Sequence, residues 1–232
     1  MSEALCSDTA VAVYCGSSPG RQEAFAAAAR SLGSALAAAG RPLIYGGGSK
    51  GIMGIVSASA LDGGGRVIGV IPNAMLAQIG GEVEKVGVDT ESHLTQVSRR
   101  NVEIIAVDSM HQRKVEMAKR ARGFVGLPGG FGTFEEVLEV ITWTQLGIHD
   151  KPVVLLNVLS FWEPLRTLIK QTIDAGFIKP ESERLVIFVD GPAEAEMHLS
   201  FDWGQAAINA LDSWQTGRVN PLFHWGDRMD RT

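Results

Sequence analysis

The sequence is short of cysteine, of positive charge and of long apolar runs, and each shortage removes a class of protein. Two cysteines occur, Cys6 and Cys15, close together near the N-terminus. They make no disulfide framework and fit a reducing compartment. A formal net charge of −5 leaves no basic footprint for a nucleic-acid partner. The Ala-rich run from Phe25 to Ala39 is interrupted by Arg30 and falls short of a membrane span. Met1–Ala10 carries Glu3 and Asp8 and lacks the basic start of a signal peptide. A soluble, cytoplasmic protein is the expectation. No His and Cys stand at metal-ligand spacing, so no metal site is expected. Two nucleotide signatures are missing as well. No G-x-x-x-x-G-K-[ST] occurs, and Gly46–Gly51 does not match G-x-G-x-x-G. The strand after it ends in Ile71-Pro72 where a ribose-binding acid would stand. These absences disfavour a P-loop NTPase and a dinucleotide oxidoreductase.

What is present is glycine, 27 of 232 residues, placed where turns are needed. The length suits one α/β domain with a substantial core, here taken as 1–232 with loosely attached tails at 1–10 and 216–232. Strands are expected at Val11–Tyr14, Pro42–Tyr45, Arg66–Ile71, Gly123–Leu127, Pro152–Asn157 and Leu185–Val189. Helices are expected at Arg21–Ala39, Ile52–Leu61, Ser109–Arg122, Thr133–Gly147, Phe161–Ala175 and from Ala193 onward. Val83–Val88 reads as a strand inside a long loop, and Asn101–Ala106 as a strand or the start of a helix. Alternating strands and helices joined by short turns predict a Rossmann-like three-layer fold, a parallel sheet with helices on both faces. Right-handed crossovers then gather the turns after Tyr14, Tyr45 and Leu127 at one edge, where such sheets bind ligands.

The turn after Leu127 carries the most chemistry. Pro128 stops the strand, Gly129, Gly130 and Gly132 let backbone amides approach a ligand, and a helix follows. A glycine turn feeding a helix N-terminus is an anion site, because free N–H groups and the positive dipole end point the same way. Glu135 and Glu136 stand directly behind it. Two readings of Glu136 are open here. Thr133 and Glu136 form the T-x-x-E capping box, a structural role; the alternative is a carboxylate facing a substrate. Glu135 is either its helper or a solvated first-turn residue. In that helix Phe134, Val137, Leu138, Ile141, Gln145 and Ile148 form one stripe, with Glu136, Glu139 and Trp143 opposite. An aromatic opposite the buried stripe points to a second buried surface, most simply a homodimer contact.

The helix Ser109–Arg122 holds an anomaly. Arg113 and Lys114 flank its apolar stripe of Met110, Met117 and Ala121, where surface charges would sit opposite. Snorkelling along the helix edge is one explanation. Cations aimed into a ligand site is the other, and an arginine grips phosphate bidentately.

Met110-His111-Gln112-Arg113-Lys114, Pro128-Gly129-Gly130-Phe131-Gly132-Thr133-Phe134-Glu135-Glu136 and the run Thr142–Pro152 resemble the LOG ("lonely guy") family. Tyr14-Cys15-Gly16-Ser17-Ser18 and Tyr45-Gly46-Gly47-Gly48 resemble it too, so the likeness runs from about Val11 to Phe177. These are cytokinin riboside 5′-monophosphate phosphoribohydrolases, once labelled lysine decarboxylases. The resemblance implies hydrolysis of the N-glycosidic bond of an N6-modified AMP to free base and ribose 5-phosphate, with no cofactor. It implies Arg113 and Glu136 as catalytic residues. It implies Lys114, Gly129, Gly130, Phe131, Gly132, Thr133, Glu135 and Thr142 as nucleotide-binding, with Ser17, Gly46, Gly47 and Gly48 beside them. It also implies a dimer with the site near the subunit contact, which suits Trp143. His93-Leu94-Thr95-Gln96 stands where the family carries E-L-T-G, placing His93 at a substrate-contacting position. A broader nucleoside-monophosphate nucleosidase and a non-catalytic nucleotide carrier use the same residues. The extension after Phe177 carries no family motif and is assigned no role.

Overall fold

The computed structural model describes residues 9–78 and 101–215. Its strands are β1 (Val11–Tyr14), β2 (Leu43–Tyr45), β3 (Val67–Pro72), β4 (Val102–Val107), β5 (Gly123–Gly126), β6 (Val153–Asn157) and β7 (Ile187–Asp190). They form one sheet in the order β4-β3-β2-β1-β5-β6-β7, with every neighbouring pair parallel. The helices are α1 (Glu23–Ala38), α2 (Gly51–Asp62), α3 (Asn73–Gln78), α4 (Met110–Arg120), α5 (Phe131–Leu146), α6 (Glu163–Asp174) and α7 (Trp203–Asp212). The expected strand Val83–Val88 and His93 lie outside the described residues. Within them, no helix is long and apolar enough to cross a membrane.

The central strands are apolar along their whole length because both sheet faces are covered. Alternate residues go to opposite layers. Val11, Val13 and Cys15 of the β1 segment pack with α1, α2 and α7, around Leu32, Leu36, Val56 and Trp203. Ala12 and Tyr14 pack on the other side with Met117 and Ala118 of α4 and Val137 and Val140 of α5. The three-layer reading stands.

Asn101–Ala106, left open between strand and helix, is a strand one residue later, β4, paired with β3 along its length. The extension after Phe177 forms part of the core. It supplies the edge strand β7 and then α7, whose Trp203 is fully buried and whose Gly204 N–H donates to Ser31 Oγ at 2.8 Å. Asp202 caps α7 and accepts from Ser31 at 3.1 Å, and Asp212 accepts from Arg41 at 2.6 Å, so both ends of α7 are tied to the α1 region.

The order reverses direction between β1 and β5, the topological switch point of an open parallel sheet. Their turns touch there: the Gly16 N–H donates to the Pro128 carbonyl at 3.1 Å.

Candidate active site

The helix behind the glycine turn starts two residues earlier than its sequence suggests. Gly130 is the N-cap of α5, and the Phe134 N–H donates to its carbonyl at 3.0 Å. Thr133 is therefore inside the helix, and the capping box of Thr133 and Glu136 does not form. Gly130 without a side chain leaves the first-turn amides with no side-chain cap, and no acidic residue sits in that turn. A positive dipole end with free donors results, the physical requirement for an anion.

The helix also turns a different face to the core from the expected stripe. Its buried face runs through Thr133, Glu136, Val137, Val140 and Thr144. Phe134 and Leu138, expected inside, are exposed, and Trp143, expected outside, is half-buried against the sheet core with its ring edge-on to His149. The two faces differ because a carboxylate, Glu136, belongs to the buried one.

Glu136 goes inward because Arg113 meets it. Ser109 caps α4, accepting from the Gln112 N–H at 3.1 Å, and this sets the rotation that points Arg113 at the sheet edge. Arg113 Nη2 lies 3.2 Å from Glu136 Oε1, with side chains 11% and 8% exposed. The pair is close but off hydrogen-bond alignment: Glu136 Oε1 and Arg113 Nε are both buried without a hydrogen-bond partner. Buried polar atoms left open mark a place where a ligand or water completes the set. Burial pushes the Glu136 carboxyl up to about 7, with Arg113 opposing that rise and Glu135 adding to it. A carboxyl held there titrates near neutral pH, as a proton-transferring group should.

The turn after β2 makes room for the pair. A β-carbon at Gly46 would stand 2.0 Å from Arg113 Nη2, so the guanidinium occupies that space. Gly46 thus serves the arginine first. Gly47 backs onto Ile71 and Gly48 onto Met53. Ser17 is exposed in the neighbouring turn, and Met53 N–H donates to Gly16 O at 3.2 Å, binding that turn to α2. Gly129 lies against Gly16 and Thr133, whereas Gly130 and Gly132 face open space and Phe131 is 92% exposed.

Gly129, Gly130, Gly132, Thr133, Arg113, Glu136, Gly46 and Ser17 therefore gather at the switch point. Lys114, Glu135 and Thr142 are placed differently. Lys114 stands beside Glu136 with its ammonium on the neighbouring carboxylates, bonded to Glu135 and, at 3.0 Å, to Glu139. Thr142 lies nine residues beyond Thr133, roughly 13 Å along the helix, and its hydroxyl donates to its own Leu138 carbonyl at 2.8 Å. Three more residues neighbour Glu136. Glu139 had a signal, since it shares the side of Glu136. Tyr14 ends the expected strand and Cys15 opens the turn after it, inside the run that resembles the family; both are buried beside Glu136, and burial raises the phenol and the thiol.

The family model described as "Possible lysine decarboxylase" matches residues 53–199. The cytokinin riboside 5′-monophosphate phosphoribohydrolase LOG of Oryza sativa subsp. japonica is 45% identical over 221 residues, covering 94% of this chain and 78% of that protein. The probable enzyme LOGL3 of the same plant is 47% identical over 212 residues, covering 89% and 91%. LOG3 of Arabidopsis thaliana is 45% identical over 178 residues, covering 76% and 75%. Among solved structures, the Moco carrier protein of Chlamydomonas reinhardtii superposes with a TM-score of 0.53 at 23% identity, covering 88% of this chain and 98% of that one. The molybdenum cofactor binding protein of Rippkaea orientalis does so with 0.54 at 18% identity, covering 88% and 96%. At those identities the two structures speak for the fold alone. The matched segment begins at Met53 and takes in Arg113, the glycine turn and Glu136, and this chain belongs to the LOG family.

Proposed function

We propose that this chain hydrolyses the N-glycosidic bond of a cytokinin riboside 5′-monophosphate, an N6-modified AMP, to the free base and ribose 5-phosphate. The observation that carries the reading is the Arg113–Glu136 pair, buried and incompletely hydrogen-bonded beside an uncapped helix N-terminus. Anion site and carboxylate are the two things this reaction needs. The amides at Gly130–Thr133 hold the 5′-phosphate, a part of the substrate remote from the reacting bond, and so position the ribose. As the bond from C1′ to the purine nitrogen breaks, its electron pair leaves with the base and positive charge develops on the sugar. Ionised Glu136 stabilises that charge and takes a proton from the water that adds to C1′; a proton returns to the departing purine nitrogen, which leaves the neutral base and the carboxylate restored. Arg113 keeps a share of Glu136 ionised against the burial that would protonate it.

The test is chromatography of free base after incubation with isopentenyl-AMP, AMP and isopentenyladenosine. Base is expected from isopentenyl-AMP, with the riboside slower by about 10²-fold or more because it lacks the group the turn holds. Equal cleavage of riboside and monophosphate would remove the phosphate from the argument. Equal turnover of AMP would make the enzyme a broader nucleosidase. Binding without base release would make it a carrier.

The site is expected at a homodimer seam, carried by α5 and α6 and not by Trp143. Phe131, Phe134 and Leu138 face outward on α5, and α6 is amphipathic yet has no fully buried residue and exposes Leu168. Apolar side chains grouped in this way mark a surface that a second copy covers. Sedimentation is expected to give a dimer for the native chain and a monomer for Leu138→Glu. A native monomer at tens of micromolar would end the dimer reading.

A further inference from the structure

Arg113 and Lys114 are consecutive on α4, so their side chains leave the helix roughly 100° apart. They nonetheless reach the same partner helix. Arg113 meets Glu136, while Lys114 Nζ bonds Glu135 Oε1 and lies 3.0 Å from Glu139 Oε1. Glu135 and Glu139 are one helical turn apart, so the lysine ties two successive turns of α5 just beside Glu136. Its side chain is 14% exposed and that of Glu139 22%, which shields the contact from solvent better than a surface pair. The backbones of α4 and α5 approach each other little, and these long side chains span the gap.

We propose that Lys114 is a positioning residue: by bracketing Glu135 and Glu139 it fixes the rotation of α5 against α4 and holds Glu136 opposite Arg113, without touching the substrate itself. The bracket accounts for a cation that the glycine turn does not use. It also has a charge consequence. The titratable and charged groups facing Glu136 are Tyr14 and Cys15 from β1, Arg113 and Lys114 from α4, and Glu135 and Glu139 from α5. Burial keeps the phenol and thiol neutral, which leaves three carboxylates against two cations. Loss of Lys114 leaves two carboxylates uncompensated beside Glu136 and makes it harder to ionise. Loss of the Glu139 charge does the reverse.

The kinetic arm of the test rests on the reaction proposed above; the titration arm does not. With isopentenyl-AMP, Lys114→Met is expected to lower kcat by about 10²-fold with KM little changed, the effect of a displaced reacting group. Lys114→Arg should recover most of it, because a guanidinium can bridge two carboxylates. A variant with native kcat and a KM raised by that factor would make Lys114 a phosphate ligand and overturn the proposal. The second arm labels glutamate at its carboxyl carbon with carbon-13, assigns the Glu136 signal with Glu136→Gln, and titrates by NMR without substrate. The Glu136 midpoint is expected to rise in Lys114→Met and to fall in Glu139→Gln. Midpoints unmoved in both variants overturn the bracket even if base release is seen. Moved midpoints support it even if no base is ever released. Should Lys114→Met not fold, Glu139→Gln decides alone, because it leaves the lysine on Glu135.

Discussion

Glu136→Gln keeps the fold and loses base release from isopentenyl-AMP by at least about 10³-fold, the combined scale of a lost proton acceptor and lost electrostatic stabilisation of the sugar cation. Glutamine has the shape of the native side chain and still reaches the Arg113 guanidinium, so the loss isolates the charge. The native enzyme carries its own control in the pH dependence. Glu136 titrates at about 7 against an ordinary 4.5, so activity should climb through neutral pH as the carboxylate forms. Stability should move the other way. The folded state binds the proton more tightly than the unfolded chain, so ionising this buried carboxyl weakens the fold as pH rises from about 4.5 to about 7. Below that window the penalty is absent, and above it complete. Glu136→Gln should lack this contribution, and thermal melting across the window reads it. Near-normal turnover in a folded Glu136→Gln protein would reduce the residue to a structural partner of Arg113.

Gly129→Ala is expected to damage both turn and chemistry. An added β-carbon would stand 2.1 Å from Thr133 Oγ1, 2.7 Å from Thr133 Cβ and 2.8 Å from the Gly16 amide nitrogen. The last of these is backbone of the neighbouring turn and cannot rotate aside. Either the β1 and β5 turns part or the start of α5 moves, at about 1–3 kcal/mol for overpacking. Both shifts displace the first-turn amides to which the proposed reaction assigns the phosphate, so kcat/KM should fall on the order of 10²-fold or more. Gly130→Ala is the control for stability alone, since a β-carbon there meets nothing within 4 Å. If Gly129→Ala melted and turned over like the native chain, the close contact of the two turns would not matter.

The order of elements was legible because glycine and proline punctuate the chain and both faces of the sheet demand apolar strands. What surrounds Glu136 was legible only in part. Arg113 announced itself by lying beside an apolar stripe, of which Met117 and Ala121 are fully buried while Met110 is exposed. The partner of Lys114 could not be read, because α4 and α5 are separated by a strand and no local spacing links Lys114 to Glu139. The capping box misled for a definite reason. Thr-x-x-Glu is a local pattern, and the close approach of Gly129 to Gly16 starts the helix at Phe131, ahead of the threonine. The inward face differs for a separate reason: Glu136 takes a buried place against Arg113, and Phe134 and Leu138 turn outward. His93 and the strand expected at Val83–Val88 lie outside the described residues, and with them the residues expected to meet the N6 substituent.

The seam between α1 and α7 has a consequence for how the molecule is made. Ser31 waits for Asp202 and Gly204, and Arg41 for Asp212, partners some 171 residues downstream. During synthesis the first helix leaves the ribosome long before the helix that covers it. At roughly 5–20 residues per second that interval is on the order of ten seconds or more. Throughout it the side of α1 that will receive Trp203 and Ala207 remains open. Contacts of such long range close slowly, and the uncovered Ala- and Leu-rich surface is available to other nascent chains and to chaperones. Among the described residues, the sheet that carries the candidate site is therefore covered last by α7, a segment remote from that site.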